Sequence, residues 1–194
     1  MSFDGTLLVK FQEIFVRDGL TPIVKFITHL GDSGIIWIVI TAILLVFKKT
    51  RKAGVIAALA LIGSLIINNL LLKNIVARTR PYDTIHEVKR LVEIQKDFSF
   101  PSGHSASSFA ASIAIYFGLD GNLRKYLGIG LIVLAFAIAF SRLYVGVHYP
   151  LDVLVGSLDG VLIGYLAYKL IKRNEARLAE KLKIEDFTNG ETGK

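Results

Sequence analysis

The chain has 194 residues, 53% of them hydrophobic, and carries a formal net charge of +7 with no cysteine. The length fits one domain, and the lack of cysteine excludes disulfides and thiolate metal sites. Charged residues cluster in short blocks between long apolar runs, which is typical of a protein whose apolar parts are solvated by lipid. The basic charge does not indicate nucleic-acid binding, because Lys and Arg beside apolar runs more often orient a membrane protein.

Residues 1–30 predict one or two amphipathic helices that lie in the membrane interface, divided at Gly19–Pro22. Apolar side chains recur there at near-helical spacing, but charged side chains interrupt them too often for a membrane span. The interrupting residues are Lys10, Glu13, Arg17 and Lys25.

Five apolar segments follow, and they predict an all-α integral membrane bundle of about five transmembrane helices. They cover roughly residues 34–47, 53–72, 104–119, 126–145 and 151–171. Helix is assigned to each, because a spanning segment must satisfy its backbone hydrogen bonds internally. The first segment is short, so we expect it to begin near Leu30. The chain then divides into interfacial helices (1–30), a transmembrane domain (31–171) and a charged cytoplasmic tail (172–194).

Basic blocks at 48–52, 124–125 and 172–183 fall on one side of the bundle if every segment crosses once. The positive-inside rule makes that side cytoplasmic and predicts a multi-pass plasma-membrane protein with its C terminus in the cytoplasm. The opposite side receives the 73–103 and 141–152 connections, and it carries further basic residues that topology does not explain.

Three short motifs stand on that opposite side, where apolar segments begin or end. They are Lys73 with Arg80-Pro81, then Pro101-Ser102-Gly103-His104, and finally Ser141-Arg142 with His148 and Asp152. The motifs occupy the ends of the second and fourth segments and the starts of the third and fifth. These four positions meet at one membrane face in an up-and-down bundle, so the motifs are predicted to converge.

The first motif is predicted to be helical. Lys73 and Arg80 are two helical turns apart, so we expect both side chains on one face of a helix that Pro81 stops. Arg78 would point elsewhere on such a helix, and it is left outside the predicted site.

The residue types indicate a site that binds a phosphoryl group. Cationic side chains and the free N–H groups of a helix N-terminus bind phosphate, and a glycine lets the ligand approach the backbone closely. The predicted phosphate-binding residues are Lys73, Arg80, Ser102, Gly103 and Arg142.

Two histidines and one carboxylate are the predicted catalytic residues. Asp152 would hold the His148 ring in the tautomer that leaves one nitrogen free to attack phosphorus. His104 would protonate the leaving group. The sequence offers no carboxylate cluster suited to magnesium, so we expect no metal or other cofactor, and the cations would stabilise the transition state themselves.

The patterns K-x6-R-P, P-S-G-H and S-R-x5-H-x3-D resemble those of the type 2 phosphatidic acid phosphatase superfamily, and every signature position is present in order. The resemblance covers the chain from about Leu30 to Ile171. It implies a membrane lipid phosphatase that forms a phospho-histidine at His148, which water hydrolyses, with His104 as the acid and no metal.

The expected reaction is hydrolysis of a lipid phosphate or diphosphate on the extracytoplasmic side. By family analogy undecaprenyl diphosphate is the first choice of substrate, ahead of phosphatidylglycerol phosphate and phosphatidic acid. A lipid phosphotransferase stays open as an alternative. So does a non-catalytic lipid-binding or transport protein, although such a protein would not need both histidines. The expected partners are the lipid substrate and membrane lipids, and the oligomeric state is open, with a homodimer among the alternatives.

Overall fold

Helices make up all the regular structure in the residues that the computed structural model describes, 2–191, with side-chain surroundings for 2–176. In chain order they are α1 (Phe3–Phe15), α2 (Thr21–Leu30), α3 (Ile35–Val46), α4 (Arg51–Ser64), α5 (Lys73–Val76), α6 (Pro81–Thr84), α7 (Gly103–Gly118), α8 (Gly121–Leu123), α9 (Ile129–Tyr144) and α10 (Pro150–Glu191). π-helical segments, Leu65–Leu72 and Arg124–Gly128, join α4 to α5 and α8 to α9. A tight turn at Asp32–Gly34 separates α2 from α3.

Three of these helical runs are long and apolar enough to cross a membrane, namely Arg51–Thr84, Gly121–Tyr144 and Pro150–Ala176. The pair Thr21–Leu30 and Asp32–Val46, bent by 46°, passes the same test only when taken together. Within residues 2–191 the candidate spans therefore number three or four, and the predicted count of five is not confirmed. All five predicted apolar segments are helical, and the all-α membrane architecture is confirmed.

Helix α7 lies in the middle of the bundle, packed against α4, α9 and α10. Three glycines spaced four residues apart bring α10 against its backbone. A Cβ at Gly160 would lie 2.4 Å from the Ala106 carbonyl oxygen, and Gly156 and Gly164 approach the neighbouring turns of α7 as closely. Because no side chain separates the two backbones, the starts of α7 and α10 are fixed at the same level of the bundle.

The predicted interfacial helix α1 has a buried face that holds the loop between α6 and α7. Gln12 Nε2 donates to the carbonyl oxygens of Lys89 and Tyr144, at 2.8 and 3.0 Å, and Gln12 Oε1 accepts from the Lys89 N–H at 2.9 Å. This side chain therefore ties the loop to the end of α9.

Candidate active site

The three motifs meet around one cavity of about 990 Å³. Its polar end is lined by Lys73, Arg80, Gly103, His104, Arg142 and His148. These residues come from the ends of α5, α7 and α9 and from the connections after α5 and before α10. The convergence that the alternating segment ends predict is confirmed.

The predicted helix from Lys73 to Arg80 is wrong. Helix α5 ends at Val76, and Ala77 adopts a left-handed conformation with φ 47°. Arg80 is extended at φ −76° and ψ 151°, as a residue before proline prefers, and Pro81 starts α6 instead of ending a helix. The side chains of Lys73 and Arg80 still approach the same group, but they do so because the chain reverses direction at Ala77 between them.

That group is the carboxylate of Asp97, in the loop before α7. Lys73 Nζ donates to Asp97 Oδ2, and Arg80 Nη2 donates to Oδ1 at 2.5 Å. Burial alone would raise the pKa of Asp97, but the hydrogen bond and charge of Lys73 together with the Arg80 guanidinium outweigh it and lower the pKa to about 2. Two predicted phosphate-binding cations are therefore paired with an acidic side chain.

Arg142 is the third cation, and it is buried without an ion pair among the described residues. Its Nη1 donates to Thr28 Oγ1 of α2 at 2.5 Å, whereas its Nε has no hydrogen-bond partner in that part of the chain. A buried guanidinium that is incompletely hydrogen-bonded at a cavity wall favours an anion there.

His148 is almost completely buried, and its Nε2 is the nitrogen that faces the cations. Arg80 Nη1 is 3.2 Å from Nε2. Because a guanidinium can only donate, Nε2 is the unprotonated nitrogen in this contact. The Nδ1 atom lies 3.6 Å from Asp152 Oδ2, which is too long for a hydrogen bond. The predicted hold of Asp152 on the ring is thus an electrostatic contact in this structure.

Asp152 is fully buried, and other donors occupy its carboxylate. Oδ2 accepts from Ser99 Oγ at 2.5 Å and from the Tyr149 N–H at 2.9 Å. Oδ1 accepts from Arg78 Nη1 at 2.5 Å, and Arg78 Nη2 donates to Asp4 Oδ2 of α1 at 2.7 Å. These three donors fix the carboxylate of Asp152, which explains why it does not turn further toward His148.

The predicted residues at the start of α7 lie at different depths. Ser102 caps the helix, since its Oγ accepts from the Ser105 N–H at 3.4 Å, and it is buried outside the cavity lining. Gly103 lies in the cavity wall against the side chain of Asn69. His104 also lines the cavity, and its Nε2 is 2.9 Å from Asp32 Oδ1.

Sequence reasoning missed several polar and charged side chains that contact the predicted residues, either directly or, for Asp4, through Arg78. They are Asp4, Asp32, Arg78, Asp97 and Ser99. Arg78 was misplaced by the assumption of a continuous helix. The two aspartates at 32 and 97 stand alone in connecting segments, and the only sequence signal is the nearness of Asp97 to the Pro101–His104 motif.

Away from the cations the cavity is mostly apolar. It continues between α3 and α4, where it is lined by Ile38, Ala42, Leu45, Ala58, Leu61, Ile62 and Leu65. One continuous space thus combines a cationic end with a hydrophobic groove, which suits an amphiphile with an anionic head.

Fold and site together define the class of this protein as a helical membrane phosphatase. The profile of the PAP2 superfamily matches residues 53–176, and the chain belongs to that superfamily. It is a lipid phosphatase, which is supported by relatives named as an undecaprenyl-diphosphatase and a phosphatidylglycerolphosphate phosphatase.

The undecaprenyl-diphosphatase of Sulfolobus acidocaldarius is 29% identical over 175 residues, which cover 90% of this chain and 81% of that protein. Among solved structures, LpxE of Aquifex aeolicus matches with a TM-score of 0.75 at 25% identity, over 87% of this chain and 96% of that one. The PAP2 type phosphatidylglycerolphosphate phosphatase of Bacillus subtilis matches with a TM-score of 0.71 at 28% identity, over 88% and 85%.

Proposed function

We propose that this chain hydrolyses a polyprenyl diphosphate, with undecaprenyl diphosphate as the first choice, through a phospho-histidine on His148. The observation that carries the proposal is the position of His148 Nε2 beside Arg80, at the cationic end of a cavity that continues into an apolar groove. The terminal phosphate would lie at the cations while the prenyl chain occupies the groove between α3 and α4.

In the first step His148 Nε2 attacks phosphorus, and the bond from phosphorus to the leaving oxygen breaks. His104 gives its proton to that oxygen. In the second step a water oxygen bonds to phosphorus, the N–P bond breaks, and the water proton passes to His104. Asp152, at 3.6 Å from Nδ1, stabilises the positive charge that the His148 ring acquires.

Lys73, Arg80 and Arg142 stabilise the charge on the phosphoryl oxygens in the transition state, together with the α7 N-terminus at Gly103. Asp97 holds Lys73 and Arg80 in place until the substrate phosphate replaces it. The Arg142 Nε–H, which has no hydrogen-bond partner among the described residues, then donates to the phosphate. No step in this scheme requires a metal ion.

The active site is proposed to face the extracytoplasmic side. The basic block around Lys52 lies at the other end of the bundle, where Lys52 Nζ donates to Glu175 Oε2 of α10 at 2.5 Å. Gly118, at the far end of α7 from His104, contacts Ala53 at the same end. The positive-inside rule makes that end cytoplasmic. Labelling of cysteines placed at positions 50 and 90 in intact cells tests this, since the two must report opposite sides.

Phosphate release by the full chain in detergent with EDTA tests the reaction. The panel contains undecaprenyl diphosphate, phosphatidylglycerol phosphate and phosphatidic acid. The names of the relatives do not single out one of these lipids as the substrate of this chain. We expect the highest kcat/KM with undecaprenyl diphosphate and no activity in His148→Ala. Turnover that requires magnesium would contradict the metal-free scheme, and a preference for a phosphatidyl substrate would overturn the choice of lipid.

A homodimer stays a prediction.

A further inference from the structure

His104 has a hydrogen-bonding partner that none of the three motifs contains. Its Nε2 is 2.9 Å from Asp32 Oδ1, and Asp32 Oδ2 is 2.8 Å from Nδ1 of His29. A carboxylate in these contacts accepts, so Nε2 of His104 carries a hydrogen. Nδ1 of His104 makes no hydrogen bond to any described residue, which leaves it available to a ligand in the cavity that this histidine lines.

The backbone around Asp32 is shaped to bring this carboxylate to His104. Ser33 and Gly34 both adopt left-handed conformations, with φ 51° and 68°, and serine rarely does so. Gly31 lies so close to the histidine that a Cβ there would be 2.7 Å from His104 Cδ2. The break between α2 and α3 thus packs directly on the ring.

The carboxylate of Asp32 has no structural use in the described part of the chain. It does not cap α3, because Gly34 occupies the N-cap position and no side chain caps that helix end. Its hydrogen bonds there are those to His29 and His104. The Asp32 side chain is 48% exposed, so it does not stabilise a buried core either.

We propose that Asp32 is the positioning residue of His104, a role that rests on the proposed phosphatase reaction. By accepting from Nε2, Asp32 directs Nδ1 toward the leaving oxygen and stabilises the doubly protonated ring that general acid catalysis requires. When the N–P bond to His148 forms and the bond from phosphorus to the leaving oxygen breaks, the Nδ1 proton moves to that oxygen. His29 orients Asp32 from the outer side.

The leaving group provides the decisive test. An alkoxide must be protonated as it departs, whereas p-nitrophenolate departs without a proton. We therefore compare dodecyl phosphate with p-nitrophenyl phosphate, using the full chain in one detergent. Asp32→Asn should lower kcat for the alkyl phosphate about 100-fold and change KM less than about 3-fold. With p-nitrophenyl phosphate, the Asp32→Asn chain should still release one p-nitrophenolate per active site in a rapid burst as the phosphoenzyme forms.

Asp120→Asn is the matched control. Asp120 lies just beyond the opposite end of α7 and is 95% exposed, and among the described side chains it pairs only with Arg124, so both substrates should be turned over as by the unaltered chain. A second variant covers the case in which Asp32→Asn folds poorly. Asp32→Ala should regain alkyl phosphate turnover on addition of formate, because the half-exposed site admits a small carboxylate, whereas Asp120→Ala should not respond.

A double-mutant cycle separates positioning from any independent effect. If Asp32 acts through His104, then Asp32→Asn in a His104→Ala background should cost less than about 3-fold further. A full additional loss of turnover in the double variant would overturn the role of Asp32. So would an Asp32→Asn chain that loses the nitrophenol burst as much as alkyl phosphate turnover, or one that loses neither. If the unaltered chain releases phosphate neither from these two substrates nor from the lipid panel, the proposed function fails instead, and the two failures are distinguishable.

Discussion

The two histidines of the site are held in different ways. His148 is 2% exposed, and its neighbour Asp152 is fully buried within a network that reaches Ser99, Arg78 and α1. His104 is 15% exposed and contacts Asp32, which is half exposed on the break between α2 and α3.

This contrast fits the proposed roles of the two residues. A nucleophile must meet phosphorus along one line, so a rigid, buried setting reduces the cost of reaching the transition state. An acid must reach a leaving group that enters and departs through the open cavity. Substitutions on the His148 side should therefore lower both stability and activity, whereas those on the His104 side should lower activity alone.

Asp152→Asn should give the largest effect, and it tests the buried side. We expect turnover to fall about 1000-fold or more, because the ring of His148 loses its counter-charge. The free energy of unfolding should fall by about 3 kcal/mol, since Arg78 loses its buried partner. Initial rates and thermal unfolding in detergent measure the two effects. Full stability with lost activity would show that the network does not support the fold.

Arg142→Lys should cost about 100-fold in kcat/KM. Lysine keeps the charge but lacks the Nε–H and the planar guanidinium that lie at the cavity wall. Arg173→Lys, an exposed position on α10, serves as the control. Near-equal activity of Arg142→Lys would mean that charge alone is needed there.

Arg78→Met should cost about 10-fold in kcat, with little change in KM, because it frees the Oδ1 side of Asp152 and the α1 carboxylate of Asp4. Arg90→Met, at an exposed position in the loop between α6 and α7, is the control. Because the Arg78 side chain reaches His148 by way of Asp152, its replacement should have little effect in an Asp152→Asn background. An independent loss would contradict this coupling.

Asp97→Asn should give the smallest effect, a fall in KM of about 3-fold, because the carboxylate no longer competes with phosphate for Lys73 and Arg80. The lowered pKa of about 2 keeps Asp97 ionised, so competition is lost only as the pH falls toward that value. The ratio of the KM of the unaltered chain to the KM of Asp97→Asn should therefore be constant from about pH 5 to about pH 8. A ratio that approaches one near about pH 5 would show that the pKa of Asp97 is raised rather than lowered.

Much of this architecture could be predicted from the sequence. Apolar periodicity and the order of the motifs predict the helices and the convergence of Lys73, His104, Arg142 and His148, because a membrane allows few backbone structures. The helix at Lys73–Arg80 was wrong because a single left-handed residue, Ala77, reverses the chain, and spacing alone does not reveal it.

The supporting acids could not be predicted for a related reason. Asp32 and Asp97 lie in irregular segments, where no periodicity reports which way a side chain points. Their partners are brought to them by tertiary packing, in one case by a strained turn at Ser33. Long-range contacts of this kind become visible only in the folded chain.

The central claim is that His148 carries the phosphoryl group, and trapping of the phosphoenzyme tests it most directly. The full chain is mixed with radiolabelled lipid phosphate, quenched in alkali, in which phospho-histidine survives, and mapped by peptide. We predict label on His148 in the unaltered chain and in His104→Ala supplied with an aryl phosphate, and none in His148→Ala. Label on another residue, or turnover by His148→Ala at a near-normal rate, would contradict the account.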